Sequence, residues 1–426
     1  MKENLILKTL RVRPFLFLIL SEFFSQFAMN LFNFVLLILV FRISSSNTAV
    51  SGVVIAFTIP SLIFGVLAGV LVDRWNKKYV LLITNILRAL LIFPLYYFHQ
   101  NLALIYAITF FVSVITQFFI PAETPIIPLL IKKELLLSAN ALFGMGIYVS
   151  IFLAYALSGP FLFLLGQKNA FTALALCFLL AGFFASLIKT KNTKKDFEVI
   201  NSFKKLPTFK EEIKIVVSLI AKTKALYHAL FSLTLAQILI FVLAVIGPGY
   251  AQNVLKIEVE RFPILFVAPA IMGVALGAVI IGNFLHNVSK SLLTKFGLFL
   301  LGISILLLPY GSRVESREII QIINLHLPHY LTINVLHIMI FLAFILGFAM
   351  AFIFVPANTI IQEETSDELR GKVYGILNTF VGIMSLIPVI LAGGLADIMG
   401  VKTVITILGI FVLAIAFART FILDRE

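Results

Sequence analysis

Apolar runs about as long as a bilayer is thick alternate with short polar turns along nearly the whole chain. A helix that crosses a membrane needs roughly 20 consecutive apolar residues. Runs of that kind fall at 14–41, 49–72, 79–98, 101–120, 139–165, 169–188, 226–250, 262–283, 291–309, 332–356, 372–396 and 400–421, which predicts an all-α membrane protein with twelve transmembrane helices. The one long polar insertion divides them into six and six. The expected organisation is an N-terminal six-helix bundle over 1–188, a cytoplasmic linker over 189–224 and a C-terminal six-helix bundle over 225–426. Within the linker, "PTFKEEIKIVVSLIAKTK" (207–224) sets apolar residues at helical spacing between charges. That spacing predicts an amphipathic helix lying on the inner membrane face.

Composition agrees with the pattern. Hydrophobic residues make up 61% of the 426 and charged residues 12%, whereas a soluble domain is about half apolar. The first run is too long for a signal-peptide core and lacks a small-residue cleavage site. The single Cys177 excludes an intrachain disulfide. A net charge of +13 could suggest nucleic acid, but position decides otherwise. With a cytoplasmic N-terminus, 25 of the 33 Lys and Arg fall on inner segments. The positive-inside rule then puts both termini in the cytoplasm. The basic character serves topology and anionic lipid heads, with no nucleic-acid site. No phosphate-binding Gly-rich loop, zinc spacing or nucleophile elbow occurs, so neither an enzyme nor a cofactor is expected.

The chain also repeats itself. At a shift of 235 residues, Phe119, Pro121, Ala122, Thr124 and Ile126 match Phe354, Pro356, Ala357, Thr359 and Ile361. Both copies stand where the fourth span of a half leaves the membrane. Duplicated halves around a central loop are the mark of a rocking transporter.

The most specific stretch is "GVLVDRWNKK" (69–78), between the second and third spans. It resembles the signature loop of the major facilitator superfamily. "PAETPIIPLLIKKELLLSANAL" (121–142), "VPANTIIQEETSDELRGKVYGILNT" (355–379) and "NILRALLIF" (85–93) resemble the macrolide-efflux and siderophore-exporter branch of its drug:proton antiporters. The resemblance covers nearly the whole chain and implies two pseudo-symmetric six-helix bundles around a central cavity. It also implies a cytoplasmic latch. Gly69 would allow close helix approach, and Asp73 would face the positive N-terminal end of span eleven, which begins near Lys372. Arg74, Lys77 and Lys78 would pair with loop carboxylates or lipid phosphates. The matching loop of the second half keeps Gly273 and Gly277 but has Ile281 in place of the Asp, so one latch is expected. Gly146, Gly159 and Pro160 of span five match the antiporter motif only in part, because Tyr155, Phe163 and Leu164 replace its other glycines.

Ionisable groups inside a span are costly and mark functional candidates. Glu22 and Arg88 lie at matching depth in spans one and three, roughly 12–14 Å from the inner boundary at 1.5 Å per residue. They are expected to form an ion pair or a shared polar network, with Glu22 as candidate proton carrier. Gln26, Asn30 and Asn33 of span one, Gln117 of span four, Gln237 of span seven, and Asn334 and His337 of span ten are the candidate cavity residues. Glu123, at an inner helix end, is assigned to the gate. No deep carboxylate stands in the C-terminal spans, where Asp397 lies at an outer end. The expected partners are a small amphipathic substrate, membrane lipids and protons. The protein is expected to act as a monomer in a bacterial inner membrane, exporting drugs or siderophore-like compounds by alternating access. The alternatives are a lysophospholipid transporter, or flippase, and a transport-inactive receptor or scaffold.

Overall fold

The computed structural model describes residues 5–73, 75–189, 218–220, 222–285, 287–312 and 334–420. Among these residues the chain is helical throughout, without a strand. Eleven helices are long and apolar enough to cross a membrane. The longest, Leu136–Leu187, breaks at Gly166, where φ is 71° and ψ is 169°. Glycine alone adopts that backbone freely. Each limb on either side of the break is long enough to span, at roughly 45 and 30 Å.

The chain separates into two compact units, Met1–Ile43 with Gly52–Pro207, and Ser44–Ser51 with Thr208–Glu426. The first unit contains α1 (Leu5–Leu10), α2 (Arg13–Ser44, but for its last residue), α3 (Asn47–Asp73, from Gly52 on) and α4 (Lys77–Ile92). It continues with α5 (Leu95–Phe98), α6 (Leu102–Glu123), α7 (Ile127–Leu130) and α8 (Leu136–Leu187). The α2 helix runs 32 residues without a glycine, and its one proline stands in the first turn, where a missing N–H costs nothing. Asn76 and Asn101 cap α4 and α6 through their side chains. Pro125 and Pro128 follow the end of α6 and prevent its continuation. The chain then folds inward, and Ile126, Ile127, Ile131 and Leu135 pack with Phe15, Leu18, Val80 and Leu81 in one apolar cluster.

The second unit contains α9 (Lys224–Gly249), α10 (Ala268–Phe284), α11 (Lys290–Leu307), α12 (Val335–Glu364), α13 (Asp367–Met399) and α14 (Val401–Ala418). Small residues set its packing. A Cβ on Gly347 would overlap the Ala270 carbonyl, and one on Gly273 would overlap the Phe344 carbonyl, so α10 and α12 meet backbone to backbone. A Cβ on Gly277 would come within 2.7 Å of the Ala351 Cβ, and one on Gly297 within 2.9 Å of the Phe352 Cβ. Without a hydrophobic drive between helices in lipid, such contact surfaces supply the association energy.

At Gly69 a Cβ would meet no described atom within 4 Å. The amphipathic helix expected over 207–224 lies outside the described residues, except for 218–220, which are helical, and 222–224.

Candidate functional site

The first unit gathers the ionisable groups. Glu22, Gln26, Asn30 and Asn33 fall on one face of α2, because steps of four, four and three residues keep to one stripe of a helix. Gln26 donates its amide to Glu22 Oε1 at 2.8 Å and to Glu123 Oε2 at 3.4 Å. One amide thus joins two carboxylates from spans one and four. Asn30 donates to the Gln26 carbonyl at 2.8 Å, and the Tyr155 hydroxyl of α8 donates to Asn30 Oδ1 at 3.2 Å. The result is a polar seam from the end of α6 along α2 to α8. Two of its buried oxygens, Glu22 Oε2 and Asn33 Oδ1, have no hydrogen-bond partner. Glu22 itself is only 2% exposed.

Arg88 stands beside the seam without pairing into it. Its Nη2 donates to Ser25 Oγ and to Asn85 Oδ1, each at 3.0 Å. The guanidinium also lies 4.3 Å from the Phe119 ring centre and 4.8 Å from that of Phe178. Stacked aromatic faces and a fork of acceptors suit Arg and hold it without a carboxylate. The ion-pair form of the Glu22–Arg88 expectation is therefore not realised, and the Arg88 charge acts on Glu22 and Glu123 through space.

Glu123 is the residue whose position the sequence misjudged. It ends α6 one turn, ~6 Å, beyond Phe119, whose ring touches the buried Arg88. Beyond it Ile126, Ile127 and Ile131 are buried in the apolar cluster. The carboxylate belongs with Glu22 and Gln26, not with a rim. Asn85, Ser25 and Tyr155 were also missed. Asn85 and Ser25 are each three residues from the ionisable groups chosen, the spacing at which helical side chains meet.

The other candidates scatter. Gln117 donates to the Ser113 carbonyl of its own helix at 3.3 Å, and Gln237 is half-buried on α9. Asn334 and His337 have a local structural role. They form a capping box in which Asn334 Oδ1 accepts from the His337 N–H at 3.0 Å and His337 Nδ1 accepts from the Asn334 N–H at 3.1 Å. They are exposed at the start of α12 because the helix begins at Val335, later than the apolar run suggested. Gly146 meets Ile19 at an ordinary 3.7 Å, and Gly159 and Pro160 lie within a limb of α8 that continues past them to Gly166. Of the latch residues, Lys77 and Lys78 open α4, with Asn76 Oδ1 accepting from the Lys78 N–H. Arg74 and the Asp73 side chain lie outside the described residues.

Comparison with known proteins fits this picture. The family model of the Major Facilitator Superfamily matches residues 18–322 and 318–426. Macrolide efflux protein A of Streptococcus pyogenes is 20% identical over 369 residues, covering 84% of this chain and 83% of that protein. The uncharacterized MFS-type transporter YkuC of Bacillus subtilis is 29% identical over 118 residues, about a quarter of each chain (25% and 27%). Among solved structures, the nucleoside transporter NupG superposes with a TM-score of 0.72 at 12% identity, over 96% of this chain and 98% of that one. A bacterial homolog of the human lysosomal transporter Spinster, inward-facing and unoccupied, gives 0.68 at 14% identity, over 100% and 98%. At such identities the structural likeness speaks for the fold.

Proposed function

The chain belongs to the Major Facilitator Superfamily and is a membrane transporter, and we propose that it exports amphipathic small molecules by alternating access in exchange for protons. The polar seam of the first unit is where substrate and proton are handled. One observation carries this reading: the Gln26 amide links Glu22 and Glu123, while the second oxygen of buried Glu22 has no partner. Two carboxylates bound to one neutral amide, with the nearest guanidinium engaged elsewhere, leave a charge imbalance. A proton or the cationic group of a substrate relieves it. The similarity to a macrolide efflux protein supports outward transport of compounds of that kind. The cationic pattern supports a bacterial inner membrane with both termini cytoplasmic. On this reading Glu22 carries the proton, Glu123 shares it, and Arg88 holds the bundle together around them.

The test is transport by the purified protein in liposomes under an imposed pH gradient, across macrolides, siderophores and lysophospholipids. Gradient-driven movement of an amphipathic drug or siderophore, lost in Glu22→Gln, is the expected result. Intact pH-driven transport in Glu22→Gln removes the carrier role. Movement of lysolipid alone replaces export by the flippase reading.

A further inference from the structure

The last turn of α13 carries Asp397, in a place its own helix disfavours, since the C-terminal end of a helix dipole repels an anion. The carboxylate is satisfied from elsewhere. Its Oδ1 accepts from the backbone N–H of Asn47 at 2.7 Å and from Asn47 Nδ2 at 2.9 Å. Its Oδ2 accepts from the Thr48 N–H at 3.0 Å, Thr48 Oγ1 at 2.7 Å and Ser46 Oγ at 2.6 Å. Asn47 and Thr48 are the first two residues of α3, whose N–H groups have no partner within the helix. Asp397 therefore supplies both an external cap and a charge opposed to the positive end of that dipole.

Shape agrees with charge. Asn47 is 2% exposed, and a Cβ on Gly249 of α9 would overlap its side chain. A Cβ on Gly393 of α13 would overlap Ser51. Ser51 in turn donates to the Val389 carbonyl at 2.9 Å. Two glycines and one carboxylate thus form a socket for the first turn of α3. The link into it is short and constrained: α2 ends at Ser44, α3 begins at Asn47, and Ser45 between them has φ of 52°.

We propose that Asp397 is a breakable clamp on the beginning of α3, at the end of that helix opposite Asp73. The contact suits release. Asp397 and Thr48 are exposed, so water can replace each hydrogen bond as it opens, and exposed charged contacts are weakly held. The Asp397 contact then holds the socket closed to solvent until it is released. It sits in the second unit and shares no residue with the seam.

The experiment reads accessibility directly and needs no known substrate. In a Cys177→Ser, Val50→Cys chain, the wholly buried position 50 reports on the socket. A membrane-impermeant maleimide is added to right-side-out and inside-out vesicles. Labelling from the face opposite the termini is slow with Asp397 present and rises about tenfold in Asp397→Ala, with a smaller rise in Asp397→Asn. Gly393→Ala, which leaves the charge but fills the socket, raises it as well. Should Asp397→Ala fold poorly, Asp397→Asn and Gly393→Ala carry the test. Unchanged labelling in the folded Asp397 variants overturns the clamp. A lowered unfolding temperature does not rescue it, because a cap that only stabilises would move that temperature alone.

Discussion

The repeated stretches beginning at Phe119 and Phe354 place different chemistry at one position. The residue after Pro-Ala is Glu123 in the first unit and Asn358 in the second. Glu123 reaches across to the Gln26 amide of another helix. Asn358 donates to the Phe354 carbonyl of its own helix and accepts the Tyr374 hydroxyl of α13, both at 2.8 Å. It thus meets a neutral hydroxyl where Glu123 meets an amide shared with a second carboxylate. Each unit buries a guanidinium, Arg88 in the first and Arg419 beside Ser232 in the second. The first adds two linked carboxylates, whereas the second brings helix backbones together at Gly273 and Gly347. Duplication supplies the scaffold, and the departure from symmetry marks where the chemistry went.

The sharpest way to break this contrast is to enlarge its tightest contact. Gly347→Leu should remove about 3 kcal/mol, the upper end of what overpacking usually costs, because the added side chain meets backbone that cannot give way. Thermal unfolding in detergent would show it as loss of folded protein. Gly69→Leu, with open space around it, should leave the unfolding temperature unchanged. Equal effects would erase the difference in packing.

Exchanging the repeat positions sharpens the chemical half of the contrast. Glu123→Gln should lower pH-driven transport about a hundredfold, the low end of the range for a lost proton-transfer group. Asn358→Asp should confer no new coupling. It should cost about 1–3 kcal/mol, because a charge replaces an amide that is already satisfied. Liposome flux and unfolding temperature on the same preparations separate the two outcomes.

Arg88→Lys keeps the charge but loses the aromatic stacking and the fork to Ser25 and Asn85. Destabilisation of about 1–2 kcal/mol is expected. A neutral result would mean that the charge alone mattered. Smallest of all, Lys290→Ala removes an exposed partner of Glu363 and should change stability by less than about 1 kcal/mol.

The spans were legible because bilayer thickness sets run length, and the gap between 165 and 169 brackets the break at Gly166. Glu22 and Arg88 stood out because charges are rare inside such runs. Depth was legible only within one helix at a time. Counting residues along each span says nothing of which side chains meet across helices, and Glu123 meets Gln26 of α2. Asn334 and His337 were chosen as polar residues of a span, and their three-residue spacing also fits the capping box they form. Asp397 looked like an ordinary end charge, because its partners at 46–48 are some 350 residues away in sequence. The repeat held the clue for Glu123, in that one copy has a carboxylate where the other has an amide.

The two orphaned atoms on α2 are both oxygens, Glu22 Oε2 and Asn33 Oδ1, and the Gln26 amide hydrogens are already given to carboxylates. Each of the two can still take a hydrogen, so on the proposed reading a guest that brings its own N–H or O–H is the kind this helix is built to hold.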